Sequence, residues 1–406
     1  MKKLIVGITF GLLILIAFGL LANQYYFRFG QDKLKPGEMV YLDKAASGSQ
    51  SGSADSIDSL KPVDYTTEVF VENLSVPWSM VFTSPNRVLV TERPGRVRVI
   101  TDGVLAADPI RVFSEVVSTA EEGLMGMTLD PDYETNKFIY LCIAYEKNSQ
   151  TVDKVIRLTD FGDSLGADTL IIDDIPAAKF HAGCRLGFGP DNKLYISTGD
   201  ATQKESAQET DSLAGKMLRL EKDGSIPDDN PFPGSAVYSL GHRNSQGFDW
   251  HPISGLLIAT EHGPSGNDGP GGGDEVNLVE AGKNYGWPVV SHTESAPGMV
   301  DPLIEFTPAV APASGMFYSG NVFPQFTNSF LFGVLRGQGI IQVSFDPTDT
   351  TKVTAYQKIP GVAVGRVRDV VQGPDGLIYF TTSNTDGRGS VRTGDDKILR
   401  LVPKNL

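Results

Sequence analysis

From Thr66 onward the chain repeats itself, and that period limits what it can fold into. Six short apolar runs, Val97-Arg98-Val99-Ile100, Val155-Ile156-Arg157-Leu158, Met217-Leu218-Arg219-Leu220, Val276-Asn277-Leu278-Val279, Ile340-Ile341-Gln342-Val343 and Ile398-Leu399-Arg400-Leu401, start 58–64 residues apart. Each follows another β-branched or aromatic run: Val88-Leu89-Val90, Phe138-Ile139-Tyr140, Leu194-Tyr195-Ile196, Leu256-Leu257-Ile258, Ser329-Phe330-Leu331-Phe332 and Leu377-Ile378-Tyr379-Phe380. Those compositions suit half-buried strands. A turn of the form x-Pro-Asp/Asn precedes several of them, as in Ser84-Pro85-Asn86, Asp130-Pro131-Asp132, Gly189-Pro190-Asp191 and Gly373-Pro374-Asp375. No long helical period interrupts the pattern. A steady β period of this length, repeated six times, predicts an all-β, six-bladed propeller. An open sandwich of many strands is the alternative. Closing the ring needs one more strand, and Thr67-Glu68-Val69-Phe70-Val71 is placed to supply it.

The chain before this repeat reads differently. Lys2 and Lys3 precede an uncharged run from Leu4 to Ala22, followed by Tyr25, Tyr26, Phe27 and Arg28. Such a run matches the hydrocarbon thickness of a bilayer, with early lysines on the cytoplasmic side and the aromatic trio at the far interface. A cleaved signal peptide is the rival reading, but Leu20-Leu21-Ala22 makes a poor cleavage site and Ala17-Phe18-Gly19 only an alternative one. The expectation is therefore a signal-anchor or signal segment over residues 1–28, a flexible tether over 29–65 containing the Ala45–Ser53 Gly/Ser stretch, and a propeller over 66–406 working outside the cytoplasm. The net charge of −14, with no basic stripe, speaks against nucleic acid. Two cysteines, Cys142 and Cys184, in apolar runs read as buried thiols rather than a disulfide framework.

Propellers carry function in the loops at one end of the ring. All five histidines fall between His181 and His292. His181, in Phe180-His181-Ala182-Gly183-Cys184, stands just before a strand and suits a general base. Gly241-His242-Arg243-Asn244-Ser245-Gln246-Gly247 gathers hydrogen-bonding groups, with Arg243 as a planar fork for carboxylate or quinone oxygens. Glu261-His262-Gly263-Pro264, followed by Asp274-Glu275, offers carbonyls and carboxylates to a hard cation. Asn284-Tyr285-Gly286-Trp287-Pro288 adds the Tyr285 carbonyl. Arg366 and Arg368, two apart in a strand, share one face, and Arg336 lies between two other strands. Several inward cations suit an anionic ligand.

These runs, in this order, resemble the soluble glucose/sorbosone dehydrogenase family, including its pyrroloquinoline quinone (PQQ)-dependent aldose sugar dehydrogenases. The resemblance extends from Leu74-Ser75-Val76-Pro77-Trp78 through Thr91-Glu92-Arg93-Pro94-Gly95, Glu122-Gly123-Leu124-Met125-Gly126 and Asp130-Pro131-Asp132-Tyr133 to about Leu401. It implies a six-bladed propeller that oxidises an aldose at its anomeric carbon, with PQQ and calcium. His181 would then be the base, and Arg243, Asn244, Arg336, Arg366, Arg368 and Glu121 would lie on the cofactor. Gly263 and Pro264 would offer carbonyls to the calcium that holds the quinone, and Glu275 and Tyr285 would belong to a second calcium. Electrons would pass to a membrane quinone or a periplasmic cytochrome. A non-catalytic extracellular binding propeller and a calcium-dependent lactonase are the competing classes. The chain departs from the family's best-known glucose oxidisers in having Arg336 for Lys, Glu121 for Gln, and Phe180 where an Asp precedes the base. The segment from Ser265 to Gly273 is also longer than the aldose-type pattern leads one to expect.

Overall fold

In the computed structural model, which describes residues 34–42 and 61–404, six antiparallel sheets follow one another along the chain. Blade 1 is built from Pro77–Ser84, Arg87–Glu92, Arg96–Thr101 and Val104–Leu105, with Arg111–Val112 beside the third strand. Blade 2 comprises Leu124–Leu129, Phe138–Lys147, Gln150–Asp160 and Leu165–Pro176; blade 3 comprises Leu186–Phe188, Leu194–Ser197, Lys216–Leu220 and Val237–Leu240. Blade 4 uses Ser245–Trp250, Leu257–Glu261, Asp274–Val279 and Ile304–Phe306; blade 5 uses Pro312–Phe317, Phe330–Val334, Gly339–Phe345 and Val353–Lys358. Blade 6 has Val367–Gln372, Ile378–Thr382 and Ile398–Pro403, and its fourth strand is Tyr65–Val71 from the start of the repeat region. The six-bladed all-β ring expected from the period is therefore present, closed by the expected strand. Successive blades touch around the whole ring: first strand meets first strand from blade 4 through 5, 6, 1 and 2 to blade 3, and the second strand of blade 3 meets the first strand of blade 4.

The two families of apolar runs are the second and third strands of the six blades, in order. Their buried faces meet the neighbouring blade. Tyr140, Cys142 and Val155 pack with Leu194, Ile196 and Leu218 between blades 2 and 3, and Phe323, Leu331 and Ile340 pack with Val370, Ile378 and Phe380 between blades 5 and 6. Each fully buried Leu, Ile or Phe contributes about 1.5–3 kcal/mol by leaving water. The x-Pro-Asp turns join first to second strands and have their own bonding device. The Tyr140, Tyr195 and Tyr379 hydroxyls donate to Asp130, Asp191 and Asp375 at 3.1, 3.0 and 2.9 Å, tying each turn to the strand that follows it.

Cys142 and Cys184 correct the sequence reading. They are buried, as expected, but are joined as a disulfide with Cα atoms 6.2 Å apart. Cys142 lies in the second strand of blade 2 and Cys184 in the loop entering blade 3, and both belong to the same interblade core. Forty-two residues separate them along the chain, and only the packing of one blade on the next makes them neighbours.

Within the region read as a tether, Val40–Tyr41 adds to the outer strand of blade 5, pairing with Tyr356 and Ala355. The N-terminal apolar run and the Gly/Ser stretch lie outside the described residues. Among the described residues, no helix is long and apolar enough to cross a membrane.

Candidate active site

An antiparallel meander brings its turns out at alternating ends. The links between blades emerge at the same end as the turns between second and third strands, while the repeated x-Pro-Asp turns lie at the other. His181 and Glu121 sit in links before blades 3 and 2, Arg243 and Asn244 in the link before blade 4, and Arg366 in the link before blade 6. Gly263, Pro264 and Arg336 fall in the second-to-third-strand turns of blades 4 and 5. Arg368 follows in the first strand of blade 6.

His181 is the best-defined group. Its φ of 57° lies in the left-handed region, which costs a non-glycine residue about 1–3 kcal/mol and persists only when neighbours enforce it. Three neighbours do so. The His181 backbone N–H donates to Glu121 Oε2 at 2.9 Å. Its carbonyl lies against Gly199, where an added Cβ would stand 1.7 Å away, so only glycine fits. Its ring Nδ1 meets Asp200 Oδ1 at 2.6 Å. Asp200 is itself fixed: Thr202 N–H donates to Oδ1 at 2.7 Å and Trp287 Nε1–H to Oδ2 at 2.8 Å. An Asp whose other bonds are all from donors accepts the Nδ1 proton and leaves Nε2 unprotonated, as an acceptor. With Phe180 at the position before the histidine, the carboxylate partner is instead Asp200, nineteen residues after it. Trp287 reaches it because the long connection after Val279 runs back to bond with Leu240 and Gly241.

Arg243 closes on the same histidine. Its Nη2 lies 2.7 Å from His181 Nε2, its Nη1 donates to the His262 carbonyl at 3.2 Å, and its guanidinium lies 5.4 Å from the Trp287 ring centre. Asn244 is buried, and its Oδ1 accepts the Gly183 N–H at 3.1 Å, pinning the loop that carries His181. On the blade 6 side, Arg366 pairs through Nε and Nη2 with Asp386 Oδ2 at 2.9 and 2.8 Å. Arg368 is buried and donates to Gln246 Oε1. Burial pulls its guanidinium down to about 9, with Asp386 opposing and Arg366 and Arg93 adding to the shift. Its Nε and that of Arg93 are buried without acceptors. His262 joins the two sides: burial, then Arg243 and Arg368, hold its imidazole well below its usual range and therefore neutral. Cations from blades 1 and 6 with unfilled donors, beside Arg243, suit an anionic ligand. Arg336 occupies its turn with its backbone N–H on the Val310 carbonyl at 3.0 Å.

Glu121 holds the backbone of His181 and is held in turn by Arg388, whose Nη1 lies 3.0 Å from Oε1. This is a role in placing His181, found through the fold and not through the sequence.

The cation positions divide. Gly263 is crowded by the Gly272 and Gly273 carbonyl oxygens, each 2.2 Å from where a Cβ would stand, so this turn concentrates hard backbone oxygens. The Pro264 carbonyl accepts the Gly272 N–H at 3.2 Å. Asp274 is spent on structure: it accepts N–H groups from Gly263, Val310 and Ala311 at 2.8, 2.7 and 2.6 Å. Glu275 is different. Cross-strand register places Glu261, Glu275 and Glu305 in one row across blade 4. Like charges directly opposite one another are unfavourable unless a proton or a cation relieves them. Burial first, then Glu261, push the Glu275 carboxyl well above its usual range. Asn277 Oδ1, buried beside them, has no donor. His242 bonds Glu261 through Nδ1 at 2.8 Å and stacks on Tyr285, bringing that residue to the same group. Glu275 and Tyr285 thus both lie beside a row of glutamates that a proton or a cation would relieve.

Residues 74–399 match the Glucose / Sorbosone dehydrogenase family. The aldose sugar dehydrogenase YliI of Escherichia coli is 29% identical over 368 residues, covering 85% of this chain and 94% of that protein. Quinoprotein glucose dehydrogenase B of Acinetobacter calcoaceticus is 28% identical over 442 residues, covering 84% and 90%. The PQQ-bound aldose sugar dehydrogenase of Streptomyces coelicolor superposes with a TM-score of 0.73 at 30% identity, covering 84% of this chain and 98% of that one. The chain belongs to the glucose/sorbosone dehydrogenase family.

Proposed function

We propose that this protein is a PQQ- and calcium-dependent dehydrogenase that oxidises an aldose at its anomeric carbon to the lactone. The observation that carries this reading is a histidine whose Nε2 is left as the base by Asp200, facing a set of buried cations. When bound, the quinone supplies the hydride acceptor and calcium polarises it.

The chain's own residues do the rest. His181 Nε2 takes the proton of the anomeric hydroxyl, and Asp200 stabilises the imidazolium so formed. Asp200 also fixes the ring's orientation, since both of its oxygens are anchored. Arg243, Asn244, Arg366 and Arg368, with Arg336, would hold the cofactor's carboxylate and quinone oxygens; Glu121 acts through the backbone of His181. The Gly263 and Pro264 carbonyls would bind its calcium, and Glu275 with the Tyr285 carbonyl would hold a second one. A non-catalytic propeller has no use for the His181–Asp200 pair, and a lactonase would need carboxylate metal ligands where this chain has arginines.

Residues 4–22 would keep the enzyme on the outer face of the cytoplasmic membrane, where a membrane quinone or periplasmic cytochrome accepts electrons. The test is reconstitution of the 406-residue chain with PQQ and calcium, followed by dye reduction with a panel of aldoses. Aldose-dependent reduction is expected, and absence of both cofactor binding and reduction would refute the reading.

A further inference from the structure

The loop from Ser265 to Gly273, longer than the family pattern leads one to expect, enters the site. Asp268 Oδ2 accepts from Arg243 Nε at 2.8 Å and lies 2.7 Å from Nη2. It is also 4.0 Å from His181 Nε2. Asp268 Oδ1 is held by the loop's own Ser265 N–H at 3.0 Å, and Ser265 Oγ accepts from Arg243 Nη2 at 3.2 Å. Burial disfavours ionisation of Asp268, but the Ser265 N–H and Arg243 outweigh it and keep the carboxyl below its usual range. The side chain remains 20% exposed.

An arginine has five N–H donors. Here the Asp268 carboxylate, Ser265 Oγ, the His262 carbonyl and His181 Nε2 use all but one of them. The fork that an anionic cofactor needs is therefore already filled by an anion of the chain. The base nitrogen that a sugar hydroxyl needs is filled by the same guanidinium. The loop's outer part has room around it: a Cβ at Gly266 or Gly271 would meet nothing within 4 Å, while Gly272 and Gly273 anchor its end on Pro264, Glu305 and Thr307.

We propose that Asp268 is a positioning residue that latches Arg243 onto His181, so that an anionic cofactor binds by displacing the Asp268 carboxylate and thereby frees the base. The inference rests on the functional reading above for the identity of that cofactor. It differs from a structural role for the loop, because removing the charge improves binding. A carboxylate this close competes directly for the guanidinium and repels an incoming carboxylate-bearing ligand.

The test uses the full chain and Asp268→Asn, with Asp268→Ser as a second uncharged variant. Equilibrium titration with PQQ in the presence of calcium, followed by tryptophan fluorescence, should show both variants binding about ten-fold or more tightly. Unchanged or weaker binding overturns the latch. The second measurement needs no cofactor: the rate at which diethyl pyrocarbonate modifies His181 in the unloaded protein, read by peptide mass. Both variants should react several-fold faster, because Arg243 is no longer held on Nε2; equal rates overturn the latch. A wild-type chain that does not bind PQQ refutes the functional reading, and the modification rates then decide the latch by themselves.

Discussion

Replacing both Cys142 and Cys184 with Ala tests the fold where it meets the site. The disulfide closes a loop of 42 residues. In the chain-entropy account, a loop of that length contributes about 4 kcal/mol. Truncating two buried sulfurs in an interblade core removes about 1 kcal/mol more. A unit of about 340 residues unfolds with an entropy of about 0.7 kcal/mol per kelvin, so a loss of about 5 kcal/mol lowers Tm by about 7 °C. The loss also has a location. Cys184, at φ 62°, ends the loop that carries His181, and its N–H and carbonyl bond Ser197 and Gly126. Amide exchange in residues 181–185 should therefore rise more than in blade 5. The assay is differential scanning calorimetry of wild type and double variant at one scan rate, with thiols counted in denaturant without reductant. Two free thiols in the wild type, or a Tm change under about 1 °C, would refute the reasoning.

Asp200→Asn keeps the shape but presents an amide to the histidine. Turnover of the cofactor-loaded enzyme should fall by about 10²–10⁴ while PQQ affinity changes little, and Tm should fall by a few degrees because the amide NH2 meets a donor; an unchanged rate would remove Asp200 from the mechanism. Calcium should raise the Tm of the wild type, and Glu275→Gln should abolish that rise if its carboxylate is a ligand; an equal rise in both would place the ion elsewhere. Burial pushes the Asp249 carboxyl up to about 6, above the value of about 4 that an exposed aspartate has. Between those values the native state holds a proton that the unfolded state has lost. The contribution of Asp249 to stability therefore grows as pH falls from 7 through 6 and is complete below about 4. Between pH 7 and 5 the Tm difference between wild type and Asp249→Asn should shift in favour of wild type; a pH-independent difference would contradict the assignment.

The ring was legible because each blade must bury two strands of similar length, so the same apolar pattern recurs with the same spacing. Its closure was legible for the same reason: blade 6 has three strands in sequence and needs a fourth. The histidine and the arginines stood out because polar runs interrupt otherwise apolar strands. What the sequence withheld were pairings made across turns and blades. Asp200 carries a faint mark, a Gly-Asp directly after a strand, but its role comes from Gly199 packing on the His181 carbonyl and from Trp287 returning along a long connection. Asp268 looked like part of a polar insertion, and only the folded loop sets it on Arg243. Asp274 and Glu275 are adjacent and chemically alike, yet strand alternation turns one toward three backbone N–H groups and the other into a row of glutamates.

The most direct measurement is the turnover of His181→Ala beside wild type, each loaded with PQQ and calcium and supplied with the best aldose found. Loss of about 10² or more in turnover, with cofactor binding retained, is the predicted result. Full turnover in the variant would contradict the assignment of His181 as the base on which the account depends.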